Sequence, residues 1–98
     1  MLETFTIETF QPKLGELFHV VVGEQRLPTK LTDVRQWGDD SAAGRARAPF
    51  VLVFHTVPQG VLPQGTYPVE TDGMEPFELF LVPLSPDERG MRYQAVFT

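Results

Sequence analysis

The chain has 98 residues, a length typical of one domain with one hydrophobic core. Its 13 acidic and 8 basic side chains give a formal net charge of −5, which disfavours nucleic acid and anionic lipid surfaces as partners. It contains no cysteine, which excludes disulfides, thiolate metal sites and cysteine nucleophiles.

The N-terminal segment MLETFTIETF lacks the basic region and continuous apolar run of a secretion signal, and no stretch has the length of a membrane span. We therefore expect a single cytoplasmic β-domain over residues 1–98. Within this segment Thr6 is a suitable helix cap, and Pro12 and Gly15 would end the helix. A short helical turn over about residues 6–11 is expected to cover the domain as a lid.

Six short apolar segments follow, separated by clusters of Gly, Pro, Asp or Ser. This pattern predicts an all-β fold, either a compact antiparallel six-stranded barrel or a two-sheet sandwich. The register after Thr32 is ambiguous, because Val34 falls on the face opposite that of Leu27, Thr29 and Leu31. This indicates a β-bulge or the end of pairing. A hairpin loop is expected over residues 85–90. The expected strands cover residues 17–22, 27–36, 50–55, 66–70, 75–84 and 91–98.

Two of these strands, residues 50–55 and 75–84, are apolar on both faces and are expected to be buried on both. Together these strands carry more apolar side chains than one small core needs. Either a closed barrel with a helical lid covers them, which we prefer, or one face meets a second subunit and the protein is a homodimer.

Residues 37–49 form the only long segment without an apolar period, and a mobile loop is expected there. Trp37, Arg45 and Arg47, with Arg35 as an additional candidate, are the candidate partner-binding residues, because an aromatic anchor beside arginines is common at interfaces. Two alternatives stay open. The arginines belong to a solvated loop, or Trp37 closes one end of the barrel.

Candidate chemistry is sparse. The only histidines, His19 and His55, lie on faces opposite the core residues, and a catalytic or metal site would require one of them to meet a carboxylate such as Asp33 or Glu78. The serines stand in loops without a nucleophile motif, and the acidic pairs in loops are expected to stay solvated. We therefore expect no catalytic residue, no metal site and no cofactor.

Five segments of the chain carry a family resemblance: FQPKLGELF (10–18), APFVLVF (48–54), LPQGTYPVE (62–70), FELFLVPL (77–84) and RYQAVF (92–97). Together they resemble a family of small bacterial proteins classed as a domain of unknown function. The Gln-Gly-Thr-Tyr turn and the Phe-Glu-Leu-Phe-Leu-Val-Pro strand are the most specific of these motifs, and both concern folding rather than chemistry. The resemblance assigns no catalytic or binding residue to this chain. It implies an association with loci that encode phage-tail-collar-like proteins.

The first functional hypothesis is therefore a non-enzymatic interaction or accessory protein with a protein partner, linked to assembly of a phage-tail-like structure. A small-molecule-binding β-barrel is the alternative, which would need an interior cavity. A small hydrolase using His19 or His55 ranks last, because it requires one of them to reach a carboxylate within a cleft.

Overall fold

The apolar segments of the sequence form six antiparallel strands that close into a barrel. The computed structural model describes residues 5–36, 49–56 and 62–97. The order around the barrel is β1-β2-β3-β6-β5-β4, and β4 pairs with β1 to close it. The predicted all-β fold is confirmed, with the barrel rather than the sandwich. The elements are α1 (Ile7–Phe10), a 3-10 helix (Gln11–Lys13), β1 (Leu17–Val22), β2 (Gln25–Gln36), β3 (Phe50–Thr56), β4 (Gly65–Glu70), β5 (Phe77–Asp87) and β6 (Gly90–Phe97).

Alternation of apolar side chains along the strands fills the interior of the barrel. On β3 every second residue from Phe50 to Thr56 is buried, and the residues between them are only half-buried. Successive side chains of a strand point to opposite faces, so one set is directed inward and the other outward. Much of the interior is aromatic, and its aromatic members are Phe10, Phe18, Phe50, Phe54, Phe77, Tyr93 and Phe97.

The outer faces of β3 and β5 differ from the expectation of burial on both sides. Outward residues of β3 are half-buried, and Phe80 on the outer face of β5 is 52% exposed. A closed barrel of this size is filled by its inward side chains alone. The outward apolar residues therefore belong to the surface, and the prediction that both strands are doubly buried was wrong for the chain in isolation.

The N-terminal helix covers one end of the barrel, as predicted. Thr6 precedes α1 in an extended conformation, and its backbone N–H donates to Thr9 Oγ1 at 3.0 Å. Phe10 is fully buried, and its ring centroid lies 5.9 Å from that of Phe50 and 5.7 Å from that of Phe97. A capped single turn thus places one aromatic side chain into the open end of the core.

A bulge in β2 explains the ambiguous register around Thr32. Leu31 pairs with Phe54 and Asp33 pairs with Val53, so Thr32 is an extra residue with no partner opposite it on β3. An extra residue reverses the alternation of the strand beyond it. Val34 consequently lies opposite the buried Leu52 and packs against the core. The bulge also leaves Thr32 and its neighbour Asp33 on the outer surface.

The β5–β6 hairpin is tighter than the loop expected over residues 85–90. Strand β5 continues to Asp87, which pairs with Gly90, so that only Glu88 and Arg89 form the turn. Gly90 has a φ of 129°, a region that favours glycine and that permits this connection. The turn brings Asp87 and Arg89 to the outer surface beside the end of β3.

Candidate binding groove on the outer barrel surface

A groove of about 530 Å³ crosses the outside of β2, β3 and β6 and reaches the β5–β6 hairpin. We call it the outer groove. Its volume lies within the range of about 300–1,000 Å³ that is typical of ligand sites. It combines apolar side chains of two strands, β3 and β5, with ionisable groups. The apolar residues are Val51, Val53 and Leu84, and the ionisable residues are Asp33, Arg35, His55, Asp87, Arg89 and Arg92.

Strand pairing places a row of basic side chains along one end of the outer groove. Lys30 of β2 pairs with His55 of β3, and His55 pairs with Arg92 of β6. Paired residues of neighbouring strands share one face of the sheet, so the three side chains stand side by side on the outside. Arg89 reaches the same area from the hairpin turn. We call these four residues the basic row.

His55 is the centre of the polar network. Its Nε2 lies 2.9 Å from Asp87 Oδ2, and its Nδ1 is hydrogen-bonded to the hydroxyl of Thr32. The His55 side chain is only 10% exposed, which shields both contacts from water. The network joins three elements, because Thr32 comes from the β2 bulge and Asp87 from the end of β5.

The hydroxyl of Thr32 accommodates both protonation states of His55. An ionised carboxylate only accepts hydrogen bonds, so His55 Nε2 carries the proton that it shares with Asp87. Thr32 Oγ1 also lies 3.2 Å from the carbonyl oxygen of Val53. When His55 is neutral, the Thr32 hydroxyl donates to Nδ1. When His55 is protonated, Nδ1–H donates to Thr32 and the hydroxyl donates to Val53 instead.

Asp87 is held as a carboxylate by its surroundings. Its pKa lies below the ordinary value chiefly because it accepts a hydrogen bond from His55, whereas partial removal from water acts in the opposite direction. The backbone N–H of Arg89 donates to Asp87 Oδ1 at 2.9 Å, and Arg92 Nε lies 3.9 Å from Oδ2. Asp87 thus offsets part of the positive charge of the basic row.

The remaining cations of this surface differ in how they are paired. Arg35 forms a salt bridge with Asp33, which raises the pKa of Arg35 through the hydrogen bond and the opposite charge. Arg92 donates from Nε to the carbonyl oxygen of Ser85 at 2.8 Å. Within the described residues, Lys30 and Arg89 form no side-chain ion pair. Both line a smaller hollow next to His55, with Thr32 and Thr56, which we call the basic recess.

The structure brings together residues that the sequence did not associate. Trp37, Arg45 and Arg47, the predicted partner-binding residues, lie outside the described residues, so that hypothesis stays a prediction. Arg35 lines the outer groove. His55 meets a carboxylate as the hydrolase hypothesis required, but the partner is Asp87 and not Asp33 or Glu78.

His19 takes no part in this network. It lies half-buried on β1, opposite Glu70 of β4 and Pro28 of β2. Across residues 5–36, 49–56 and 62–97, no three His, Asp or Glu side chains are grouped so that they could hold a metal ion. His55 lines the outer groove and the basic recess, and His19 lines neither.

Sequence reasoning missed Thr32, Arg89 and Arg92, and it expected Asp87, paired with Glu88 in a loop, to stay solvated, whereas Asp87 is hydrogen-bonded to His55. The ambiguous register at Thr32 was the signal for the bulge. The position of Gly90 allows a two-residue turn that carries Asp87 into the strand, but only the pairing of β3 with β6 shows that Asp87 reaches His55.

Comparison with known proteins identifies a family but no activity. None of the helices in the described ranges is long and apolar enough to cross a membrane. No curated protein and no solved structure matches the chain. A family model described as "Domain of unknown function (DUF6916)" matches residues 5–97. The chain belongs to this DUF6916 family, in agreement with the resemblance to a domain of unknown function.

Proposed function

We propose that this domain is a non-enzymatic interaction or accessory protein that binds a protein partner through the outer groove. The observation that carries the proposal is the composition of this surface, where the apolar side chains Val51, Val53 and Leu84 of the outer groove lie beside the basic row. Apolar contact supplies affinity, and charged groups at its edge select the partner.

The interior of the barrel supports an outer rather than an inner binding site. Inward positions of all six strands carry buried side chains that form one cluster with Phe10 of the lid. Phe50 and Phe97 stack at a centroid distance of 4.5 Å inside this cluster, and Phe18 packs 5.4 Å from Phe54. A ligand inside the barrel would have to displace these rings, which disfavours the small-molecule-binding barrel.

The protein partner belongs, in this proposal, to a phage-tail-like assembly. This part rests on the resemblance to proteins whose loci encode phage-tail-collar-like proteins. An accessory protein in such an assembly needs a surface for a larger protein rather than a catalytic centre. A shallow groove on the outside of a rigid barrel meets that need.

A bulky side chain placed in the outer groove tests the proposal. Gln94 stands half-buried between Val53 and Val82, so Gln94→Trp should fill the groove and abolish partner binding. Thr66→Trp is the matched control, because Thr66 is exposed on the outer face of β4, which contributes no residue to the groove.

Wild type and both variants are first compared by circular dichroism and thermal unfolding to show equal folding. Each is then used as bait in extracts that contain the tail-like assembly, and the captured protein is purified and titrated directly. Loss of binding with Gln94→Trp and retention with Thr66→Trp is expected. Equal binding by both variants would contradict the proposal.

A hydrolase is the second candidate, because Thr32, His55 and Asp87 form a hydroxyl–imidazole–carboxylate chain. A nucleophilic Thr32 would have to donate its proton to His55 during attack. Its hydroxyl has a competing acceptor in the Val53 carbonyl, and His55 is largely covered, which favours a structural network. Turnover of activated esters by wild type, lost in Thr32→Val and kept in Thr66→Val, would support the hydrolase.

A further inference from the structure

We infer that the partner presents an acidic segment, and that Lys30 and Arg89 of the basic recess bind its carboxylates while its apolar side chains lie on the floor of the outer groove. This inference rests on the proposed function and names the chemistry of its partner.

Cations are concentrated at this surface although the chain is acidic. The chain has eight Lys and Arg residues, and two of them, Arg45 and Arg47, lie outside the described residues. Of the remaining six, four line the outer groove or the basic recess, namely Lys30, Arg35, Arg89 and Arg92. Among the described residues only two acidic ones, Asp33 and Asp87, line the same surface, so four cations stand beside two carboxylates although the whole chain has a formal charge of −5.

The basic row concentrates positive charge on three adjacent strands. Lys30 and Arg92 stand on either side of His55, two strand spacings or roughly 10 Å apart, and two cations at that separation repel each other. Asp87 neutralises only the centre of the row through its contacts with His55 and Arg92. An external anion would relieve the repulsion that remains.

Lys30 and Arg89 are the groups available to that anion. Neither has an ion-pair partner in the described part of the chain, and no acidic side chain lines the basic recess that they share. Arg35 is occupied by Asp33, and Arg92 by Ser85 and Asp87. An arginine beside a lysine can bind a carboxylate with charge-assisted hydrogen bonds.

The adjoining outer groove favours a peptide over a small anion. Val51 and Val53 of β3 and Leu84 of β5 offer apolar contacts on either side of β6, which an inorganic ion would not use. An extended segment with alternating side chains could direct carboxylates toward the recess and apolar groups toward these side chains. Nucleic acid has no apolar side chains that alternate with its charged groups, so it matches this surface less well than an acidic peptide.

A labelled model peptide tests the chemistry even while the partner is unidentified. Fluorescence anisotropy measures binding of fluorescein-labelled Glu-Val-Glu-Val-Glu to the intact protein, with Gln-Val-Gln-Val-Gln as the control peptide. We expect binding of the acidic peptide only, and weaker binding when salt is raised from about 50 mM to about 300 mM. Inorganic phosphate is the competing probe for a simple anion site.

Single charge removals locate the site. Lys30→Gln and Arg89→Gln should each weaken peptide binding by about two- to fivefold, as expected for loss of one exposed ion pair. Arg26→Gln is the matched control, because Arg26 pairs with Glu70 and lies outside both the outer groove and the basic recess. It removes the same charge and should leave the peptide affinity close to that of wild type.

Three outcomes would overturn the inference. They are equal binding of the acidic and the neutral peptide, equal effects of Lys30→Gln, Arg89→Gln and Arg26→Gln, or binding of phosphate in preference to the acidic peptide. These outcomes are separate from failure of the proposed function. If Gln94→Trp abolishes partner binding but Lys30→Gln and Arg89→Gln do not weaken it, the groove binds a partner of different chemistry.

Discussion

Replacement of Phe10 by alanine is expected to uncouple the N-terminal lid from the barrel. Phe10 is fully buried and its ring lies within about 6 Å of the rings of Phe5, Phe50, Phe77 and Phe97. Burial of a phenylalanine contributes about 1.5–3 kcal/mol, and truncation in a packed core costs about 3–5 kcal/mol once the cavity is included. Because α1 has only four residues and can shift to close part of the cavity, we expect a loss of about 3 kcal/mol.

Phe80→Ala is the matched control for this prediction, because it makes the same chemical change on the outer surface. Phe80 is 52% exposed, so its truncation should cost about 1 kcal/mol. The difference of about 2 kcal/mol corresponds to a Tm about 8–16 °C lower for Phe10→Ala than for Phe80→Ala in a domain of this size. Urea unfolding followed by circular dichroism measures both variants. If Phe10→Ala is no more destabilising than Phe80→Ala, the lid does not complete the core.

The other predictions concern the network around His55. Because the pKa of Asp87 is lower in the folded state, its contribution to stability is present above about pH 4 and is lost as the pH falls through the folded value. Asp87→Asn should therefore reduce the fall of the urea midpoint on acidification. A fall equal to that of wild type would contradict the contact between Asp87 and His55. Thr32→Val should cost about 1 kcal/mol in urea unfolding by leaving His55 Nδ1 unpaired, whereas a neutral effect would argue against the hydrogen bond. Gly90→Ala should lower the free energy of unfolding by about 1–3 kcal/mol, because residue 90 has a positive φ. The variant should also shift the His55 ring resonances in NMR spectra, because Asp87 would move. Unshifted resonances would show that the turn does not position Asp87.

Much of the fold could be predicted because its signals are local. Side chains alternate with a period of two along any strand, so the inward set on β3 and β6 follows from the order of apolar residues. The cap at Thr6 was also visible from residue type, and the break in alternation after Thr32 indicated either a bulge or the end of pairing, of which the structure has the bulge. Each of these features depends on residues within a few positions of one another.

The candidate site could not be predicted in the same way. His55 and Asp87 are separated by 32 positions in the chain and meet only because β3 pairs with β6 and a two-residue turn returns β5 to β6. A loop of six residues in place of this turn would leave Asp87 solvated, as the sequence suggested. A shift of one residue in strand pairing turns every side chain to the other face, so the contact depends on register.

By itself, the sequence determined the strands, the inward residues, the helical lid and the net negative charge. Only the tertiary structure decided that the sheet closes into a barrel, which of the two histidines has a carboxylate partner, and that Lys30, His55 and Arg92 stand in one row. The physical reason is that alternation acts between neighbours in the chain, whereas closure and charge rows arise from pairing between strands that are distant in sequence.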